Sequence, residues 1–136
     1  MTDQSSTSGT QGDGGIYSNV LDLAKWDEAL ANHTLLGEGE MAVAWTPAKT
    51  EDGTPYYGPK NKNQDEQRVI EYGFGWFLDP YKGHRREYHD GESVGFRSTN
   101  ERYVKDHLTI IILSNRTDTR PRELAEKMAG IVFAAK

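Results

Sequence analysis

The sequence predicts an α+β fold: N-terminal helices, an antiparallel sheet of about three to four strands, and a C-terminal helix packed on that sheet. Apolar residues recur at helical spacing from Val20 to Leu30 and again from Leu124 to Ala135. Between these segments, from Tyr72 to Ser114, the period shortens to two. The strand-forming runs follow one another through short turns with no helix between them, so the sheet reads as a meander rather than a set of βαβ units. At 136 residues the chain buries about two-thirds of its unfolded surface, enough for one core.

Residues 1–15 are almost wholly Ser, Thr, Gly, Gln and Asp. They read as a flexible arm, because they bury too little apolar surface to offset the entropy of ordering them. Residues 16–136 form the folded part. Ser18 is a candidate N-cap, Asp22 falls in the first turn, and Val20, Leu21, Leu23, Ala24, Trp26 and Leu30 follow at i, i+3, i+4 spacing, predicting a helix over 19–32. A shorter helix after Gly37 must stop before Pro47, since proline pushes its predecessor out of the α region. Thr50 to Arg68 is polar and rich in Gly, Pro, Asn and Lys, as expected of a long surface excursion.

Tyr72, Phe74, Trp76 and Leu78 then alternate with Gly73, Gly75 and Phe77, predicting a strand with core aromatics and a glycine face that admits a close neighbour. Further strands are expected over 86–90, 95–104 and 108–114, with Lys105-Asp106-His107 as a hairpin turn. Both faces of 108–113 are mainly apolar, so that strand should be covered on both sides. Pro121 suits the first turn of the closing helix, whose stripe of Leu124, Met128, Ile131, Val132 and Ala135 should be its buried face.

Lys and Arg total 16 against 21 Asp and Glu, a net charge of -5. That is the opposite of an electrostatic footprint for nucleic acid or an anionic lipid surface, and no nucleic-acid partner is expected. With no cysteine, disulfides, a thiol nucleophile and Cys-ligated zinc are excluded, and the compartment stays open between cytoplasm and periplasm. The longest strongly apolar run, 108–113, is far shorter than the ~20 residues of a membrane span. The first residues carry neither the basic nor the apolar region of a secretory signal.

Gly91-Glu92-Ser93-Val94-Gly95 matches the Gly-x-Ser-x-Gly pattern of a nucleophile elbow. An elbow needs strand, sharp turn and helix, whereas Phe96 onward continues as strand, so Ser93 is read as a polar residue in a glycine-rich turn. His84, His89, Asp90 and His107 have the chemistry of metal ligands but no ligand spacing. No metal and no cofactor are expected.

Three stretches in order carry a resemblance: Gly14-Gly15-Ile16-Tyr17-Ser18-Asn19-Val20-Leu21-Asp22-Leu23-Ala24-Lys25-Trp26, then Tyr72-Gly73-Phe74-Gly75-Trp76, then His89-Asp90-Gly91 through Gly95-Phe96-Arg97-Ser98. Together with Leu113-Ser114-Asn115 after an apolar strand, they resemble the class C β-lactamase family and its penicillin-binding-protein and esterase relatives. The likeness runs from about Gly12 to the C-terminus and corresponds to about the last third of a usual member. It implies a partial β-lactamase/transpeptidase-like fold, with residues 16–136 as the C-terminal part of that domain.

Family members use a Ser-x-x-Lys nucleophile, a Tyr-x-Asn base element and a Lys-Thr-Gly strand that in many esterase-like members becomes His-x-Gly. By resemblance, His89-Asp90-Gly91 takes the third position. His89 would donate a hydrogen bond or a positive field near the base and substrate, Gly91 would let the substrate backbone approach, and the Glu92 backbone N–H would be half of the oxyanion hole. Two departures qualify this. No serine from Ser5 to Ser114 has lysine three residues later, and Tyr17-Ser18-Asn19 matches Tyr-x-Asn only by coincidence, because its neighbours match a helix start. Whether the chain is an enzyme is therefore open, and alone it should have no family-like activity.

The second departure is Asp90, where penicillin-recognising members carry Thr or Ser. An ionised Asp repels a β-lactam carboxylate, partly offset by Arg120, so the complete parent should prefer neutral esters, amides or peptides. The expected function is that of the C-terminal portion of a β-lactamase-like serine hydrolase. The alternative is a stand-alone, non-catalytic module that binds a ligand or partner with the same half-fold. The resemblance also implies the partners: a small-molecule or peptide substrate in the parent, and a homodimer, or pairing with a missing N-terminal part, through the edge of the 108–113 strand.

Overall fold

The computed structural model describes residues 14–55, 69 and 71–135. Residues 1–13 of the expected arm and 56–68 of the expected surface excursion lie outside the described residues. The elements are α1 (Val20–Ala31), α2 (Glu38–Ala44), β1 (Phe77–Leu78), β2 (Glu87–Ser93), β3 (Phe96–Tyr103), a 3-10 turn (Val104–Asp106), β4 (Leu108–Ser114) and α3 (Pro121–Ala134). The four strands form one antiparallel sheet in the order β1-β2-β3-β4. The expected α+β architecture is thus present.

Residues directly opposite in an antiparallel ladder share a face, and successive residues alternate. Tyr88, Glu101 and Ile110 therefore lie on one face, and Glu87, Arg102 and Thr109 on the other. On the first face Tyr103 and Ile110 pack with Ala125 and Ala129 of α3, with Phe133 and Ile112 beside them. On the second, Leu30, Met41 and Trp76 form a smaller cluster with Trp45 and Leu78. Trp26 of α1 stacks on Trp76 at 5.8 Å, which is worth about 0.5–1.5 kcal/mol beyond the buried area. Asp27 ties α1 to the sheet by accepting hydrogen bonds from Arg102 and, at 2.8 Å, from Thr109.

Three local expectations are corrected. The N-cap of α1 is Asn19 rather than Ser18, because the Asn19 amide oxygen accepts from the N–H groups of Leu21 and Asp22. Of the strand expected over 72–78, only Phe77–Leu78 joins the sheet. Tyr72 instead bridges back to Phe77 around a turn in which the Gly73 N–H donates to the Trp76 carbonyl. A Cβ on Gly73 would stand 2.0 Å from the Ala44 carbonyl oxygen. Its glycine serves packing against α2 rather than a sheet face.

The third correction concerns α3. Its buried positions are Pro121, Ala125 and Ala129, spaced four apart, so small residues let the helix approach the sheet closely. Leu124, Met128, Ile131 and Val132 of the expected core stripe stay at least a third exposed.

The sheet also buries charge. Arg86, 3 % exposed, donates to Glu126 at 2.8 Å, to the Asp79 carboxylate at 3.1 Å and to the Asp79 carbonyl at 2.9 Å, with Glu101 at 3.5 Å. Its guanidinium also lies over the rings of Tyr88 and Tyr81. Burial alone would lower the Arg86 pKa, but the carboxylates around it, Glu126 and Glu101 foremost, raise it.

Candidate functional site

β1 pairs β2 only at Glu87 and Tyr88. Among the described residues the outer edge of β2 is therefore open from His89 onward, leaving alternate backbone N–H and C=O groups directed away from β3. The inner edge is fully paired with β3, from Glu87↔Arg102 to Ser93↔Phe96. β2 is thus held rigidly on one side and offers extended backbone on the other.

Strand alternation divides the predicted site residues between the two faces. His89 is exposed and faces Tyr72: its Nε2 lies 3.1 Å from the phenol oxygen, and its Nδ1 donates to the Asp90 carbonyl at 2.7 Å. The rings of Tyr72 and Phe77 flank it at 6.1 and 5.6 Å. Asp90 lies on the α3 face, where its carboxylate accepts from Thr99 at 2.8 Å and from Arg122 at 3.3 Å. Arg122 also donates to the Tyr88 phenol at 3.1 Å. Burial raises the Tyr88 pKa, opposed by the positive charge of Arg122 and Arg86.

Asp90, Gly91 and Glu92 line an open groove together with Arg97, Arg120 and Arg122. Each of these guanidiniums already has a carboxylate partner: Arg97 with Glu92 at 2.8 Å, Arg120 with Glu123 at 2.9 Å, and Arg122 with Asp90. The cation that reaches Asp90 is therefore Arg122, while Arg120 shares the groove at the N-terminus of α3. Gly91 is extended, and a Cβ there would meet only the Ser98 hydroxyl, at 2.2 Å, which can rotate away.

Ser93 ends β2, and Val94-Gly95, with Gly95 at φ +85°, turns directly into β3. Its context is strand, turn and strand. Tyr17 precedes α1, largely exposed, with its ring edge-on to Phe96 at 6.5 Å. Among the described residues no three His, Cys, Asp or Glu side chains converge as a metal site. His84 is instead held by Asp106 at 2.9 Å and stacked on Phe133 at 3.7 Å.

Sequence reasoning missed two residues of this region. Tyr72 reads as core in the sequence, and nothing in a separation of 17 residues signals that its phenol meets His89. Arg122, one residue inside α3, sits 32 residues from Asp90, and only the tertiary packing of α3 on the sheet brings them together.

A family model described as Beta-lactamase matches residues 2–133. The chain is also similar to penicillin-binding protein 4* of Bacillus subtilis (strain 168), with 31 % identity over 119 residues covering 86 % of this chain and 23 % of that protein. It thus spans under a quarter of the length of this curated relative. No solved structure matches it. Among the described residues no helix is long and apolar enough to cross a membrane.

Proposed function

The chain belongs to the β-lactamase family, and from that premise we propose that it is the C-terminal portion of a serine hydrolase acting on esters, amides or peptides through an acyl-enzyme. The observation that carries this reading is the open edge of β2 at His89-Asp90-Gly91. An extended substrate or acyl group laid along that edge finds backbone hydrogen bonds already aligned, so little orientation remains to be fixed at the reacting carbon. The Glu92 N–H is the proposed oxyanion donor. Gly91 keeps the approach clear of side-chain atoms.

The nucleophile and base belong to the parent outside these residues. Purified chain is accordingly expected to give no turnover of a nitrophenyl ester and no labelling by a serine-directed phosphonate. Ester hydrolysis by the chain alone, abolished by that phosphonate, refutes the division of labour. In a parent carrying Ser-x-x-Lys upstream, Gly91→Val should lower kcat/KM at least tenfold by blocking the edge. An unchanged kcat/KM refutes the site.

The groove supports a preference for neutral substrates. Arg97, Arg120 and Arg122 are each engaged by a carboxylate, so an incoming β-lactam carboxylate meets paired cations and has to displace one. The parent should hydrolyse a simple ester faster than a penicillin, and the reverse order overturns this assignment.

The lack of any Ser-x-x-Lys in the sequence favours a second reading, a non-catalytic module that binds an extended ligand at the same edge. A parent with no such motif in frame, together with binding of an extended peptide by the chain, selects it. We further propose that β4, the last strand in the sheet order, pairs with a second copy or with upstream strands of the parent. A monodisperse monomer by light scattering at about 100 μM counts against self-association.

A further inference from the structure

We infer that Tyr72 is a positioning residue for His89: its phenol donates to Nε2 and, together with the Asp90 carbonyl, holds the neutral imidazole as the Nδ1–H tautomer. The inference deepens the hydrolase reading and rests on it for any role in turnover, but the geometry stands independently. The Asp90 carbonyl oxygen lies 2.7 Å from Nδ1, and a carbonyl oxygen can only accept, so Nδ1 carries the proton. A neutral imidazole has no second proton. Nε2 is then bare, and the Tyr72 phenol 3.1 Å away must be the donor.

Tyr72 is built to hold that place. Its carbonyl accepts from the Ala48 N–H at 2.8 Å, its backbone bridges to Phe77, and the next residue, Gly73, is pressed against α2. Its ring packs edge-on to Phe77 at 4.7 Å, which fixes the direction of the hydroxyl. The consequence reverses the role that the family resemblance implies for His89. In its neutral state the ring offers no free N–H to a substrate, because one nitrogen is spent on the backbone and the other accepts from Tyr72. A substrate group that engages Nε2 has to donate to it and displace the phenol.

The test is nitrogen NMR of the ¹⁵N-labelled chain at a pH about two units above the ordinary His range. His89 should show a protonated Nδ1 and a bare Nε2. In Tyr72→Phe the Nε2 resonance should move downfield, as it does when an acceptor nitrogen loses its donor, while Nδ1 stays protonated and unshifted. His84, held separately by Asp106, should keep its own pattern and so report an intact fold. An Nε2–H tautomer in the native chain, or an unmoved Nε2 in the variant, overturns the inference. If the His84 pattern changes, the native chain decides alone: a bare Nε2 resonance upfield of the position of an imidazole nitrogen that accepts no hydrogen bond supports the pair, and one at that free position overturns it. None of these readouts needs turnover, so failure here is distinguishable from failure of the hydrolase reading.

Discussion

Glu101 is completely buried, and its carboxylate accepts from the Tyr103 phenol at 2.8 Å with Arg86 at 3.5 Å. Burial raises its pKa above the usual carboxylate value, with Tyr103 and Arg86 pulling it back. Because the folded pKa exceeds the unfolded one, the folded chain binds more protons across that window. The contribution of Glu101 is therefore fully present below the ordinary Glu pKa and is lost as pH rises through the raised one. Glu101→Gln removes this titration, so the stability of the variant relative to the native chain should rise between about pH 4 and pH 7. Urea midpoints at the two pH values measure it, and a constant difference excludes it. Arg86→Ala strands Glu101 without its cation and should cost about 3–5 kcal/mol. This charged layer was not legible in the sequence, because Arg86, Glu87, Glu101 and Arg102 look like solvated residues of half-exposed strands. They are buried only because α3 closes over one face while α1 and α2 cover the other.

Among the elements, those bounded by clear local signals were the most legible. α1, the short α2, β4 and α3 follow from periodicity and from Pro47 and Pro121, because local chemistry decides where a helix starts or stops. The strand expected over 72–78 shrinks to β1 because alternation of aromatics and glycines is also produced by a tight turn that buries Trp76 and leaves Phe74 in solvent. Gly73→Ala tests that account. Its methyl would collide with the backbone carbonyl of Ala44, which cannot rotate away, and a loss of about 1–3 kcal/mol or more is expected by urea unfolding. Gly91→Ala meets only a rotatable hydroxyl and should cost under about 1 kcal/mol. If both substitutions cost the same, the distinction between a packing glycine and one reserved for what approaches β2 is lost. His89-Asp90-Gly91 stands out in the sequence as a motif, whereas the Tyr72 and Arg122 contacts require elements far apart in sequence to meet.

For the molecule as a whole, the apolar side chains of α3 that remain exposed and the outer edge of β4, unpaired among the described residues, belong to elements packed on each other. The sequence could specify both elements but not what covers their outer surfaces. The folded unit is also unequal in the range of its contacts. β2, β3 and β4 join neighbours in sequence through tight connections, while α1 reaches the sheet through Asp27, which meets Arg102 and Thr109 at separations of 75 and 82 residues. Closing so long a loop costs more chain entropy than closing the short turns of the meander. α1 is therefore expected to dock after the hairpins have formed and to leave the sheet before β3 opens. Its amides should exchange with solvent as a group while those of β3 remain protected, so that the chain breathes by lifting one helix from a sheet that stays closed.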